Sequence, residues 1–302
     1  MKPLVSVVIP YFNKSSTILG SVESVLSQTH QNFELILVDD ASTIPLTLET
    51  SWLNHPIHLI RNPINLGPGP SRQRGMDQAR GEFIAFLDAD DWWSPEFVEK
   101  CLNKLIQEPS AAAAWAQTIV YTKDGNVFQR RYCTRPFNKL RETILQYSRP
   151  WQTGSLLWRK SCCGDWGCLS TNQDYYFEYS SSLKSNYVVP VCEPLYHVNQ
   201  GLGNHRSDLL SNSEVVLNQF DLHDFVFNSI RHSLDCKSRI LLFHRILRSL
   251  LKVNEECIPS QRTTAWQKSE AMYPFMKLFF RRNEFLEIFH KLLQHTPYRL
   301  YF

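Results

Sequence analysis

The feature that most constrains the fold is an alternation along the first part of the chain. Short apolar runs, Val5 to Ile9, Phe33 to Val38, Ile57 to Ile60 and Phe83 to Leu87, are separated by segments whose apolar residues recur at helical spacing. A parallel strand is buried on both faces and so reads as a continuous apolar run, and joining two of them takes a crossover long enough to hold a helix. The alternation therefore predicts an α/β fold, a mostly parallel central sheet flanked by helices. Ile18, Val22, Val25 and Leu26 supply the first crossover helix, which Gln28-Thr29-His30 closes. A later helix is expected with Ser94 as N-cap, Pro95 at its first position and Phe97, Val98, Cys101, Leu102, Leu105 and Ile106 as its buried stripe, ending at Pro109.

A further strand is expected over Ala112 to Tyr121, turning at Lys123-Asp124-Gly125-Asn126 into a hairpin with Val127 and Phe128. Beyond it sheet character thins. Residues 135–206 are aromatic, turn-rich and irregular, as suits a surface that shapes a pocket. From Ser207 onward Leu, Phe, His and Arg recur at helical spacing, for example at Ile240, Leu241, His244, Ile246, Leu247, Leu250 and Leu251. This predicts a helical C-terminal extension over residues 207–302.

Ligands of an open parallel sheet bind beyond the carboxyl ends of its strands. Those positions are acidic here: the second run ends in Asp39-Asp40-Ala41-Ser42 and the fourth in Asp88-Ala89-Asp90-Asp91-Trp92-Trp93. Grouped carboxylates repel unless a divalent cation, a raised pKa or a basic partner relieves them. Mg²⁺ or Mn²⁺, completed by diphosphate oxygens, suits such a group. The alternative is that each cluster is a solvated turn or helix cap, where Asp is common. A third element fits with the acids. Asn65-Leu66-Gly67-Pro68-Gly69-Pro70 leads into a helix bearing Arg72 and Arg74, which face a phosphate or a carboxylate equally well.

Taken in order, these segments resemble the motif series of family 2 glycosyltransferases: Val5 to Asn13, Ser27-Gln28-Thr29, Phe33 to Ser42, Asn65-Leu66-Gly67, Ser71 to Gly75 and Ala79 to Asp91. The correspondence is close over residues 1–120, looser over 121–206 and faint beyond. The resemblance implies a GT-A fold, Rossmann-like in its nucleotide-binding half. Residues 1–120 would bind the nucleotide sugar and 121–206 the acceptor, with 207–302 as the helical extension. It implies further that Pro10, Tyr11 and Asn13 lie near the base or ribose, that Asp40 contacts the base, and that Arg72 sits beside the base or diphosphate. Asp88 would approach ribose or metal, and Asp90 would ligate the cation, Mn²⁺ or Mg²⁺, that bridges the diphosphate. Gln73 stands where the family often has Asn.

Inverting transfer needs a carboxylate to take the proton of the acceptor hydroxyl. Asp174, in Thr171-Asn172-Gln173-Asp174-Tyr175-Tyr176, matches the acid of the family's Glu-Asp motif, with Gln173 in place of the Glu. With Thr171 as N-cap, Asp174 would instead complete a capping arrangement. Trp151, in a segment resembling the strand below the family's acceptor site, together with Trp92 and Trp93, is a candidate to stack on acceptor sugar, against the plainer role of core packing. Asn199 occupies the position where many relatives have a metal-binding His, leaving His197 or His205 to substitute. Gly201 and Gly203 would allow a lid, and Arg206 would meet phosphate.

Composition narrows the partners. Lys plus Arg is 32 and Asp plus Glu 29, an excess too small and too dispersed for a nucleic-acid partner. No signal peptide is legible after Met1, and no run reaches the ~18 apolar residues of a membrane span, so a cytoplasmic protein is expected. The basic side of the C-terminal helices, Arg239, Arg245, Arg248, Lys252, Lys277, Arg281 and Arg282, is either solvated or laid against the inner face of a membrane carrying a lipid-linked acceptor. Of the eight cysteines, Cys162, Cys163 and Cys168 cluster without the spacing of a zinc site, so buried thiols are expected. The expected activity is sugar transfer from a nucleoside-diphosphate sugar, a UDP-sugar first, to a saccharide or lipid-linked acceptor. A metal-dependent phosphohydrolase and a non-catalytic nucleotide-binding relative are the competing readings.

Overall fold

The computed structural model describes residues 2–130, 138–145, 149–167, 169 and 171–200, with Leu217 and Leu222 beyond them. The expected helical extension over 207–302, the glycine lid, His205, Arg206 and Cys168 lie outside the described residues, save those two leucines. A compact unit of Met1–Ile144 and Arg149–His205 contains the sheet.

Strands β1 (Val5–Tyr11), β2 (Phe33–Asp39), β3 (Ile57–Arg61) and β4 (Phe83–Phe86) pair in parallel in the order β3-β2-β1-β4. Every residue of β1 from Val5 to Ile9 is buried, as a strand covered on both faces requires. Val5, Val7 and Ile9 join one core with Ile18, Val22 and Val25 of α1 (Ile18–Leu26) and Phe97, Val98, Cys101 and Leu102 of α3 (Phe97–Gln107). Val8 faces the other way, toward α2 (Pro68–Gln78). A Cβ built on Gly75 would stand 2.4 Å from a Val8 methyl, so the absent side chain is what lets α2 lie this close to the sheet.

Beyond β4 antiparallel pairs join the expected parallel ladders, so the α/β sheet is mixed. β8 (Leu156–Arg159) pairs with β4 and with β6 (Ala113–Tyr121); β6 carries the hairpin partner β7 (Val127–Arg130). β9 (Val188–Asn199), the longest strand described, runs parallel to β6 and carries at its far edge the two-residue β5 (Trp92–Trp93). The region expected to be irregular thus contributes two strands. Pro190 and Pro194 hid β9, since proline removes a ladder donor. The strand accommodates Pro194 where its register with β6 shifts, between Ala116 and Thr118.

Two helix starts differ from expectation. Ser94 does not cap α3, whose N-cap is Glu96. Gln28 instead reaches across from the end of α1, accepting from Val98 N at 2.9 Å and donating to Ser94 O at 2.8 Å. Helix α5 (Gln173–Ser181) starts after Asn172 in a left-handed conformation, φ 57°, with no side-chain cap, so Thr171 and Asp174 form no capping arrangement. The remaining helix, α4 (Leu140–Leu145), is short. Cys101 and Cys163 are buried thiols outside any disulfide.

Candidate active site

At the carboxyl ends of β1 and β2 two loops are stitched together. Tyr11 O accepts from Asp40 N at 2.8 Å, Asn13 N donates to Ser42 Oγ at 3.0 Å, and Thr43 N donates to Asn13 Oδ1 at 2.9 Å. Asn13 and Ala41 both adopt positive φ, 52° and 58°, so each loop leaves its strand by a sharp bend. Asp39 fixes the second bend. Its carboxylate accepts from Ser42 N at 2.9 Å and Leu46 N at 3.1 Å and pairs with Arg61. Burial pushes that carboxyl up, but these hydrogen bonds and the Arg61 charge outweigh it and hold it below the usual range. Burial, with the charge of Asp39, also raises the Tyr11 phenol. The result is two bends tied to each other, with Tyr11 buried beneath them, Pro10 half-buried and Asn13 exposed.

Asp40 is deeper than expected. It is 3% exposed, and its oxygens accept from Asn62 Nδ2 at 2.7 Å, Leu66 N at 2.8 Å and Gly67 N at 2.7 Å. In this structure it anchors the loop into α2 rather than presenting itself to a base. Gly67 can donate there because φ of 90°, open to glycine, turns its N–H inward at the start of the helix.

Beyond β4, the acids divide by depth. Asp88 is the most exposed, 37% at its side chain, and pairs with Arg72 of α2. Asp90 pairs with Lys14 at 2.8 Å. Asp91 is buried, accepting from the Tyr196 hydroxyl and from Asn199 N at 2.9 Å, which binds the acidic turn to β9. Burial, reinforced by the charges of Asp88 and Asp90, holds the Asp91 carboxyl well above its usual range. Arg72 is itself 6% exposed, its guanidinium carbon 4.8 Å from the centre of the Trp166 ring, and its Nε is buried without a hydrogen-bond partner. A buried donor lacking a partner beside the partly exposed Asp88 carboxylate suits a site that receives an anion. No group of three or more His, Cys, Asp or Glu that could hold a metal ion is assembled among the described residues. A hard cation on Asp88 and Asp90 would therefore take its other oxygens from a ligand or water.

Asp174 enters from the other side, in the first turn of α5. It pairs with Arg149, whose other terminal nitrogen, Nη1, lies 2.6 Å from Glu178 Oε1. Burial pushes the Asp174 carboxyl up, but the charges of Arg149 and Arg72 and the Arg149 hydrogen bond bring it below the usual range. Glu178, 2% exposed at its side chain, is raised to about 7 by burial; Arg149 opposes the shift and Asp174 adds to it. The first turns of α2 and α5 touch: a Cβ on Gly69 would stand 2.8 Å from Gln173 Cγ. Arg72 thus lies within electrostatic reach of both Asp88 and Asp174.

Two aromatic expectations are corrected. Trp93 is 2% exposed, donates Nε1–H to Gly154 O at 2.6 Å and stacks on Phe97. Trp151 is 1% exposed and donates to Glu178 Oε2 at 3.0 Å. Neither has a free face for a sugar. Trp92 keeps exposed surface, with one face stacked on His197 at 5.3 Å. His197 is no spare metal ligand: Ser94 Oγ lies 2.9 Å from its Nε2 and Tyr121 OH 3.2 Å from its Nδ1, so both ring nitrogens are engaged. Sequence reasoning missed Lys14, Arg149, Trp166 and Glu178, and placed Asp91 only in the acidic cluster, with no role of its own. Glu178 alone had a signal, its i,i+4 spacing from Asp174.

Comparison with known proteins follows these features closely. The family model described as Glycosyl transferase family 2 matches residues 6–165. TuaG of Bacillus subtilis (strain 168), which carries the name of a teichuronic acid biosynthesis glycosyltransferase, is 35% identical over 127 residues, 41% of this chain and 50% of that protein. The succinoglycan biosynthesis protein ExoW of Rhizobium meliloti (strain 1021) is 41% identical over 98 residues, 30% of each chain. The matched segments thus span half the length of these relatives or less. Among solved structures, residues 1-349 of S. aureus TarS in complex with UDP-GlcNAc superpose with a TM-score of 0.61 at 17% identity, covering 93% of this chain and 92% of that one. That likeness supports a GT-A-type fold for the sheet-bearing unit.

Proposed function

The chain belongs to glycosyl transferase family 2, and on that premise we propose that it moves a sugar from a nucleoside-diphosphate sugar, a UDP-sugar first, to a saccharide or lipid-linked hydroxyl acceptor with inversion. One observation carries the reading: Arg72 pairs with Asp88 on an α2 whose first turn touches that of α5, near enough for its charge to lower the Asp174 pKa, which supports a phosphate-binding charge and a candidate base lying close together. Residues 1–120 form the donor half and 121–206, with Asp174, the acceptor half.

In this reaction the acceptor oxygen bonds to the anomeric carbon, the bond from that carbon to the diphosphate oxygen breaks with its electron pair leaving on the nucleoside diphosphate, and Asp174 takes the hydroxyl proton. The depressed pKa of Asp174 keeps it ionised and ready at neutral pH. Pro10, Tyr11 and Asn13 cradle the nucleoside, with Asp40 holding the loop beside it. Arg72 and Lys14 face the charge that grows on the leaving group. Asp88 and Asp90 would hold Mn²⁺ or Mg²⁺, which supplies further neutralising charge to the diphosphate when bound. Trp92 is the remaining aromatic candidate for acceptor contact.

A thermal-shift panel of UDP, GDP, dTDP, CDP and their sugars, each with Mn²⁺ and with chelator, tests the donor site, because a ligand of the folded state raises its stability. One nucleotide should give a metal-dependent shift that Asp90→Ala abolishes. Asp174→Asn should keep that shift and lose nucleoside-diphosphate release from the matching sugar. Retained release would overturn the assignment of the base, and release of inorganic phosphate or nucleoside monophosphate would make the chain a phosphohydrolase.

A further inference from the structure

The buried side of Asp174 holds an arrangement that sugar transfer as described does not use. Asp174 and Glu178 lie four residues apart on α5, a spacing that sets both side chains on one helix face. Two carboxylates so placed repel, and here Arg149 lies between them, one terminal nitrogen on each. The guanidinium sits over the Tyr175 ring, 4.0 Å from its centre, and is 13% exposed, so it has little freedom to leave. Behind it Glu178 is gripped on its second oxygen by the Trp151 indole at 3.0 Å. The chain Asp174, Arg149, Glu178, Trp151 therefore runs from the cleft into the core with each polar contact fixed by the next.

Resting on the reading of Asp174 as the base, we propose that Glu178 is its positioning residue. Through Arg149 it orients the Asp174 carboxylate and sets how much of the Arg149 charge Asp174 receives, so that proton loss from Glu178 strengthens the base. With Glu178 protonated, Arg149 belongs to Asp174 alone and holds its proton affinity down. With Glu178 ionised, one positive charge serves two carboxylates, and Asp174 binds a proton more readily. Among the described residues the groups facing the pair are Arg149, Tyr175 and Arg72, the last paired with Asp88. Burial places the Glu178 proton near pH 7, where this exchange would take effect.

The test is a carbon-13 titration of the Asp and Glu carboxyls in the intact chain, wild type and variants, with UDP release from the best-binding UDP-sugar, water as acceptor, followed across the same pH range. One Glu carboxyl should titrate near pH 7, disappear in Glu178→Gln and move to lower pH in Asp174→Asn. The Asp174 resonance should show a second inflection at that pH, absent in Glu178→Gln, and UDP release above pH 7 should fall by about threefold or more in that variant. A purely structural Glu178 would leave no inflection at Asp174. Should Glu178→Gln fail to fold, wild type and Asp174→Asn decide alone: no Glu carboxyl titrating above pH 6, or one that ignores the Asp174 change, overturns the proposal. Asp174→Asn with full UDP release would instead overturn the base reading, even with the coupled titration intact.

Discussion

Several residues in the cleft act by holding one another rather than by facing solvent. Asp40 spends its oxygens on the Leu66–Gly67 loop, and Asp91 joins the acidic turn to β9 through Tyr196 and Asn199. Arg72 differs because part of it is still unused: its Nε is buried without a partner while its end pairs with Asp88. Arg72→Met keeps the stem against Trp166 and removes the charge. Since a hydrogen bond to a charged group contributes about 1.5–3 kcal/mol, nucleotide affinity by titration calorimetry should fall about tenfold or more. Unchanged affinity would confine Arg72 to supporting Asp88. Asp39 and Asp40 read alike in sequence and are both buried, and only their partners separate their tasks.

At the scale of elements, the cleft depends on how closely α2 approaches β1. Gly75→Ala would set a methyl 2.4 Å from one Val8 methyl, 3.1 Å from the other and 3.3 Å from a Val38 methyl. Overpacking of this kind costs about 1–3 kcal/mol, so the denaturation midpoint should drop and nucleotide binding weaken as the first turn of α2 shifts. A variant with the wild-type midpoint would show that α2 has room to yield. The parallel half of the sheet was legible because both faces of β1, β2 and β4 are covered and their runs are continuously apolar. β9 was not, because its prolines and bulge break both alternation and run. The start of α3 was misplaced for a related reason: the side chain that accepts from its first turn is Gln28, distant in sequence and supplied by packing.

Over the whole molecule, the buried carboxyls give folding stability its own pH dependence. Glu178 has a folded pKa of about 7 against an ordinary 4.5, so the native state binds its proton more tightly. Its contribution is complete below about pH 4.5 and is lost as pH rises through about 7. Asp174, held below its ordinary 3.8, works oppositely, its contribution present above that value and lost as pH falls through the depressed pKa. Unfolding of wild type and Glu178→Gln should therefore differ most in slope between pH 4.5 and 7, where wild type loses the Glu178 contribution on top of any loss from Asp91 that both share. Parallel curves would mean that Glu178 is ionised throughout.

The sequence by itself determined the α/β class, the positions of the first four strands, the family, and the positions at which acids meet strand ends, because these follow from local periodicity and short motifs. It also marked Asp174, and it left Asp88 and Asp90 beside Asp91 with nothing to separate them. Only the tertiary structure decided that Asp91 is buried and its neighbours are not, that Trp93 and Trp151 belong to the core, and that Lys14 and Arg149 supply opposing charges. Those outcomes depend on desolvation and on contacts between residues far apart in the chain, from Lys14 with Asp90 to Arg149 with Glu178, and no local pattern records either.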